Sequence, residues 1–236
     1  MSSSVLRFGV AGLSRGFMLM LPTLALHPRA RLVAAADPRP EAQARFAADF
    51  GGRAYDSVEA LCRDPEIDVV YVASPHQFHE THTVAAASAG KHVLLEKPMA
   101  LSLESCRRMI AAARAAGTHL IVGPSHSFDA PIALTRKLIA SRAYGRVRMI
   151  TALNYTDFLY RPRRPEELET AKGGGVMFSQ AVHQVDIVRL LAGGVGVSVR
   201  AHTAAWDPAR PAEGAYTALL HFAGGATAAL TYSGYG

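Results

Sequence analysis

The chain has 236 residues, 50% hydrophobic and 19% charged, with a mean hydropathy of +0.11, which suits one large folded body or two smaller ones with cores of their own. A net charge of +6 and a pI near 9.6 raise nucleic acid as a partner, but the one dense basic group, Arg161, Arg163 and Arg164, has no nucleic-acid motif beside it, so that class is set aside. A membrane partner is set aside as well, because the longest apolar run, residues 17–26, is too short to span a bilayer and contains Pro22.

Residues 5–11 read as an apolar strand, and Gly12-Leu13-Ser14-Arg15-Gly16 turns it into a helix rich in Leu and Met. A second apolar strand over 31–36 ends at Asp37-Pro38, and a helix over 40–50 is stopped by Gly51-Gly52. A short third strand at 53–55 leads to a small helix capped by Asp56 or Ser57, and a fourth strand over 68–73 ends at Ser74-Pro75. The next helix covers 77–89. Val93-Leu94-Leu95 then forms a buried strand that delivers Glu96, Lys97 and Pro98 to its carboxyl end. Ser102 caps a helix to residue 116, and 119–122 is a sixth strand. Apolar strands alternating with helices mean an α/β fold: a doubly wound parallel sheet covered on both faces, with its ligand at the carboxyl edge.

Beyond about residue 123 the pattern changes. A helix over 129–141 is followed by a long strand over 146–157, a polar Pro-containing loop over 158–170, and Gly173-Gly174-Gly175 before a helix over 177–191. Strands follow at 197–206, 215–222 and 227–233. Long strands joined by hairpins predict an α+β domain with an open, largely antiparallel sheet. The expected division is thus a dinucleotide-binding domain over 1–123 and a second domain over 124–236. The last strand ends close to Gly236, leaving a sheet edge that a second chain covers or further sequence extends. Met1 to Ser4 carry no basic stretch or cleavage site, and Cys62 and Cys106 lie far apart. Reduced thiols and a cytoplasmic location are the expectation.

Several groups in this frame can carry chemistry. The turn at Gly12 departs from G-x-G-x-x-G, since Ser14 replaces the second glycine and Gly16 comes one position early, yet strand, turn and helix follow in the order that puts amides on a pyrophosphate. Asp37 at the end of the second strand can accept from both adenosine ribose hydroxyls, which favours NAD. Arg39 can instead receive a 2′-phosphate, which keeps NADP as the second candidate. Lys97 beside a strand end can hold developing negative charge on a reacting oxygen, and the bland alternative is a surface pair with Glu96. His76, His79 and His82 are spaced three apart, but no Cys or carboxylate cluster completes a ligand set, so no metal is expected. His183 is a candidate base near neutral pH, or else a packed helix residue. Arg161, Arg163 and Arg164, stiffened by Pro162 and Pro165, present guanidinium forks suited to carboxylates, or form a solvated loop.

In chain order, the turn at Gly12, Asp37, the segment Ser74-Pro75-His76-Gln77-Phe78-His79, Glu96-Lys97-Pro98, and Gly173-Gly174-Gly175 followed by His183 and Asp186 resemble the Gfo/Idh/MocA family of NAD(P)-dependent oxidoreductases over essentially the whole chain. The resemblance implies a Rossmann domain and a C-terminal domain whose open sheet covers the nicotinamide and mediates a homo-oligomer, a dimer or tetramer. It implies Lys97 as catalytic lysine and His183 as catalytic histidine, converging on one nicotinamide ring. Gly12, Ser14, Arg15, Asp37, Arg39, Ser74, Pro75, His76, His79, Glu96 and Lys97 would meet the cofactor. His126, Tyr155, Arg161, Arg163, Arg164 and Ser179 would meet a small-molecule substrate. Ser179 stands where the family usually has aspartate, and His76 where it usually has asparagine. Within the family, the segments around His126, Tyr155 to Pro165, and Ser179 to Asp186 are similar to phthalate cis-4,5-dihydrodiol dehydrogenases. The implied activity is hydride transfer from a cyclic diol to NAD, an aromatic dicarboxylate dihydrodiol among the substrates. A sugar or cyclitol dehydrogenase, or a non-catalytic NAD-binding regulator, are the alternatives.

Overall fold

The computed structural model describes residues 5–236, which form two compact units, one ending at Gly123 and the other running from Pro124 to Gly236. Within the described residues the first unit contains β1 (Leu6–Ala11), α1 (Arg15–Leu26), β2 (Ala30–Ala36), α2 (Pro40–Phe50), β3 (Arg53–Tyr55), α3 (Val58–Cys62), β4 (Val69–Val72), α4 (His79–Ser88), β5 (His92–Leu95), α5 (Leu103–Ala115) and β6 (Leu120–Val122). The strands form one parallel sheet in the order β3-β2-β1-β4-β5-β6. Successive strand residues point to opposite faces, and β4 shows the consequence. Val70 and Val72 join a core with Leu61, Leu95 and Met109, while Val69 and Tyr71 join a second core with Phe8, Phe17 and Phe46. The central strand β4 is apolar and buried along its whole length because both of its faces are covered, whereas the edge strands are not: β3 begins at the exposed Arg53 and β6 leaves Ile121 exposed. Strand order reverses between β1 and β4, so the segments leaving their carboxyl ends part there and open the crevice where such sheets bind ligands.

Local signals set the helix ends. The Ser57 and Ser102 hydroxyls accept from the amides of Ala60 and Ser105, which caps α3 and α5. The helix expected from residue 77 starts instead with a tighter 3₁₀ turn at His76–Phe78 before α4 begins. Short 3₁₀ turns at helix starts satisfy amides that have no α-helical partner.

The second unit contains α6 (Ala130–Ala140), β7 (Met149–Tyr155), α7 (Val182–Ala192), β8 (Gly196–Ala204), β9 (Ala215–Phe222) and β10 (Thr227–Ser233). Its sheet order is β7-β10-β9-β8, with β10 parallel to β7 and the other two pairings antiparallel. One face packs Ile150, Ala152, Leu220, Ala228 and Leu230 with Val188 of α7. The alternate residues Met149, Leu153, Tyr155 and Leu219 are exposed on the other face.

Two expectations for this unit change. The stretch over 158–170 is not a simple polar loop: its Phe158 and Leu159 are buried, and short 3₁₀ turns form at Phe158–Tyr160, Pro165–Leu168 and Thr170–Lys172. The helix expected over 177–191 begins as a π-helical turn at Met177–Ala181 before α7 takes over.

Candidate active site

In the first unit, Gly12 follows β1 with φ of +99°, and a Cβ there would lie 2.9 Å from the Cα and amide nitrogen of Ser74. Only glycine allows both that backbone conformation and that approach. Ser14 caps α1 without a side-chain hydrogen bond. The first-turn amides, beginning at the exposed Arg15, therefore receive no cap from the Ser14 hydroxyl, and the positive end of the helix dipole lies there. A tight glycine cradle beside a helix start with no side-chain cap fits the pyrophosphate of a dinucleotide.

Asp37 is buried beside this turn. Its Oδ2 accepts from the Leu13 amide at 2.9 Å and from Arg39 Nη2 at 3.0 Å, while Oδ1 accepts from the Arg39 amide at 3.0 Å and Nε at 2.8 Å. Burial alone would raise this carboxyl, but the Arg39 guanidinium and the two amides outweigh it and hold the pKa below the ordinary carboxylate value. Both oxygens are thus already engaged by Arg39, so ribose hydroxyls would have to compete with a guanidinium for them.

The segment after β4 carries the three histidines. His79 is fully buried, with Nδ1 2.8 Å from the Pro98 carbonyl oxygen and Nε2 3.0 Å from that of Ser74. It joins the chain leaving β4 to the chain leaving β5. Burial pushes the His79 imidazole down, against the two carbonyls, which favour its charged form. His82 Nδ1 meets Ser74 Oγ at 2.8 Å, and the His76 ring lies 5.5 Å from that of His79. His79 and His82 thus serve the loop itself, and Pro75 leads directly into the 3₁₀ turn that starts at His76. Among the described residues no group of three His, Cys, Asp or Glu is arranged to hold a metal ion.

Glu96 and Lys97 follow β5, both half-buried, and the Lys97–Pro98 peptide is cis. Glu96 Oε1 accepts from the hydroxyl of Tyr71 at 2.6 Å, and Oε2 accepts from the Lys97 amide at 3.3 Å. A Cβ at Gly16 would lie 3.3 Å from Glu96 Cγ. The acid therefore packs beneath the first turn of α1.

In the second unit, the triple glycine allows close backbone contact. A Cβ at Gly174 would lie 2.6 Å from the Glu167 carbonyl group, and one at Gly175, where φ is +77°, would run into the Glu213 carboxylate. Glu213 accepts from the Thr170 hydroxyl and from the Met177 amide at 3.2 Å, while its own carbonyl accepts from the Val176 amide at 3.0 Å. It thereby secures the entry to the π turn that carries Ser179. A π turn inserts a residue into the helical repeat and re-aims the side chains on it.

His183 lies on the first turn of α7, and its ring meets that of His126 edge to face with centroids 4.3 Å apart. His126 Nδ1 is 3.0 Å from Asp129 Oδ2, and Asp186 pairs with Arg189. The neighbouring Gln184 is buried, donates to the Ala152 carbonyl at 2.9 Å and accepts from the Tyr216 hydroxyl. That pins α7 to the sheet and fixes where His183 stands.

The three arginines behave differently. Arg163 has a side chain only 6% exposed, stacks over the Phe158 ring at 3.8 Å and donates to the Phe158 carbonyl. Arg161 is exposed and pairs with Asp157 at 2.6 Å, and Arg164 is exposed with Glu167 at 3.7 Å. Tyr155 shares the exposed sheet face with Met149 and Leu153, and α7 covers the opposite face. Tyr71, Glu213 and Gln184 are the residues that sequence reasoning did not single out. Their only sequence signal is a polar group next to apolar positions.

A model of the oxidoreductase family with an NAD-binding Rossmann fold matches residues 6–124, and one of the GFO/IDH/MocA C-terminal domain matches residues 132–235. The chain is 55% identical over 231 residues to the 1-carboxy-3-chloro-3,4-dihydroxycyclo hexa-1,5-diene dehydrogenase of Comamonas testosteroni, spanning 98% of this chain and 58% of that protein. It is 31% identical over 193 residues to the trans-1,2-dihydrobenzene-1,2-diol dehydrogenase of Danio rerio, spanning 80% of this chain and 57% of that one. Among solved structures, the WlbA dehydrogenase of Bordetella pertussis in complex with NADH and UDP-GlcNAcA superposes with a TM-score of 0.86 at 30% identity, covering 100% of this chain and 69% of that one.

Proposed function

The chain belongs to the Gfo/Idh/MocA family of NAD-binding oxidoreductases, and from that premise we propose that it acts as a dehydrogenase on a carboxylated cyclohexadiene diol. The observation that carries this reading is the 55% identity, over 98% of the chain, to a dehydrogenase named for such a diol. Bound NAD supplies the hydride acceptor. In this reading the Lys97 ammonium donates to the reacting oxygen and holds the negative charge that develops on it. The His183 imidazole accepts the hydroxyl proton, as a base suited to neutral pH. His126 orients the substrate beside His183, and Ser179 offers a neutral hydroxyl. Arg161 and Arg164, which are exposed, take the carboxylate through paired N–H donors, while Arg163 holds the loop through Phe158.

NAD is the preferred dinucleotide in this account because Asp37 would repel a 2′-phosphate. Arg39 keeps weaker NADP use open. The exposed apolar residues Met149, Leu153 and Leu219 support self-association of the chain through the open sheet face. The unbridged Cys62, whose thiol burial pushes up to about 11, and Cys106 fit a reducing cytoplasm. No helix among the described residues is long and apolar enough to cross a membrane.

A substrate screen followed by NADH absorbance tests the reading. Rate with carboxylated cyclohexadiene diols and none with uncharged cyclitols is expected. Rate only with uncharged polyols would point to a sugar or cyclitol dehydrogenase instead.

A further inference from the structure

The Tyr71 side chain is 1% exposed, on the face of β4 that packs with Phe8, Phe17 and Phe46. A phenol so placed needs a partner for its hydroxyl. Two acceptors face it: Glu96 Oε1 at 2.6 Å and the Gly16 carbonyl oxygen at 3.2 Å. One proton serves both, and the shorter, charge-assisted contact takes it. Burial and the nearby Glu96 charge push the phenol pKa well up, so the hydroxyl stays a donor across the physiological range. The other Glu96 oxygen accepts from the Lys97 amide at 3.3 Å.

We infer that Tyr71 is a positioning residue for Lys97, acting through Glu96. The phenol fixes the carboxylate, the carboxylate fixes the backbone of the lysine, and the same hydroxyl lies beside the carbonyl of Gly16 in the first turn of α1. The end of β5 is thereby held to one reference point, the middle of β4. This inference rests on the reading of Lys97 as a group that touches the reacting oxygen.

The test is Tyr71→Phe, which keeps the ring in its apolar cluster and removes only the hydroxyl. A lost hydrogen bond to a charged group predicts a fall in kcat of about ten- to a hundredfold, with KM for the diol little changed. Glu96→Gln should show a similar fall, and the Tyr71→Phe/Glu96→Gln double variant should fall no further than the worse single one. A merely structural role would lower Tm while leaving the kcat of the folded protein unchanged, and independent roles for the two residues would make their kcat losses multiply. Either result would overturn the inference. If Tyr71→Phe does not fold, Glu96→Gln decides alone: wild-type kcat at a normal Tm refutes the coupling. Lys97→Ala is measured in parallel. An inactive Lys97→Ala beside an unimpaired Tyr71→Phe removes this inference only, whereas wild-type turnover in Lys97→Ala removes the reading of Lys97 together with it.

Discussion

The imidazole rings of His126 and His183 meet edge to face, 4.3 Å between centroids, and His126 is itself held at Nδ1 by Asp129. The carboxylate sets which ring nitrogen of His126 carries a proton, as an orienting acid does for a functional histidine. Replacing His126 by alanine is expected to lower kcat/KM for the diol about ten- to a hundredfold and leave NADH affinity unchanged, while Asp129→Asn has a smaller effect in the same direction. Steady-state kinetics with NADH titration check this. Loss of NADH affinity in His126→Ala would contradict a substrate-side role.

Glu213 and the triple glycine form a second testable pair. At Gly175 an added methyl group meets both a left-handed backbone and the Glu213 carboxylate. Gly175→Ala is expected to cost about 1–3 kcal/mol of stability, read from the urea midpoint. Glu213→Ala frees the Thr170 hydroxyl and the Met177 amide and should lower both the midpoint and turnover. A Gly175→Ala protein as stable as wild type would mean that the loop relaxes without consequence.

The proposed preference for NAD rests on Asp37 and Arg39. Removing the carboxylate in Asp37→Ala leaves Arg39 without its partner and available to a 2′-phosphate. The ratio of kcat/KM for NAD over NADP should fall about tenfold or more. Arg39→Ala should shift the ratio the other way, since it both frees Asp37 for ribose hydroxyls and removes the cation. An unchanged ratio in both variants would place the adenosine end elsewhere.

Acid should weaken the fold through two sets of groups. Burial lowers the His79 and His82 imidazoles, so below about pH 6.5 the unfolded chain takes up protons that the folded one resists, and stability is lost as pH falls. Asp37 and Asp64 resist burial through arginine and amide donors, and Asp68 is held by Arg7; all three carboxyls are lowered. Their contribution is complete above about pH 3.9 and disappears as pH falls through their folded values. Both effects have one sign. The urea midpoint should drop between about pH 7.5 and 5.5, and His82→Gln should reduce the drop. A midpoint that rises on acidification would contradict the assignment.

The parallel sheet was legible because most of its strands are apolar and the first five are each followed by a punctuated helix. The glycine turn and the Glu96-Lys97-Pro98 segment were legible because they follow such strands. Tyr71 was not, since a Tyr in a Val-rich strand reads as packing, and its acceptor lies 25 residues away. Glu213 lies between Ala212 and Gly214 with nothing beside it to mark a role, and it acts on Met177, 36 residues earlier. The arginines look equivalent in sequence, and only the burial of Phe158 shows that Arg163 is absorbed by the loop. The π turn at Met177–Ala181 has no signature in residue type. What the sequence hides are side-chain partnerships between segments that are distant along the chain.

The most direct test of the account is the turnover of Lys97→Ala and His183→Ala measured beside their NADH affinity. In each, kcat is expected to fall about 10²–10⁴-fold, the double variant to be no worse than the lower single one, and NADH to bind as in the wild type. Turnover near the wild-type value in Lys97→Ala would contradict it.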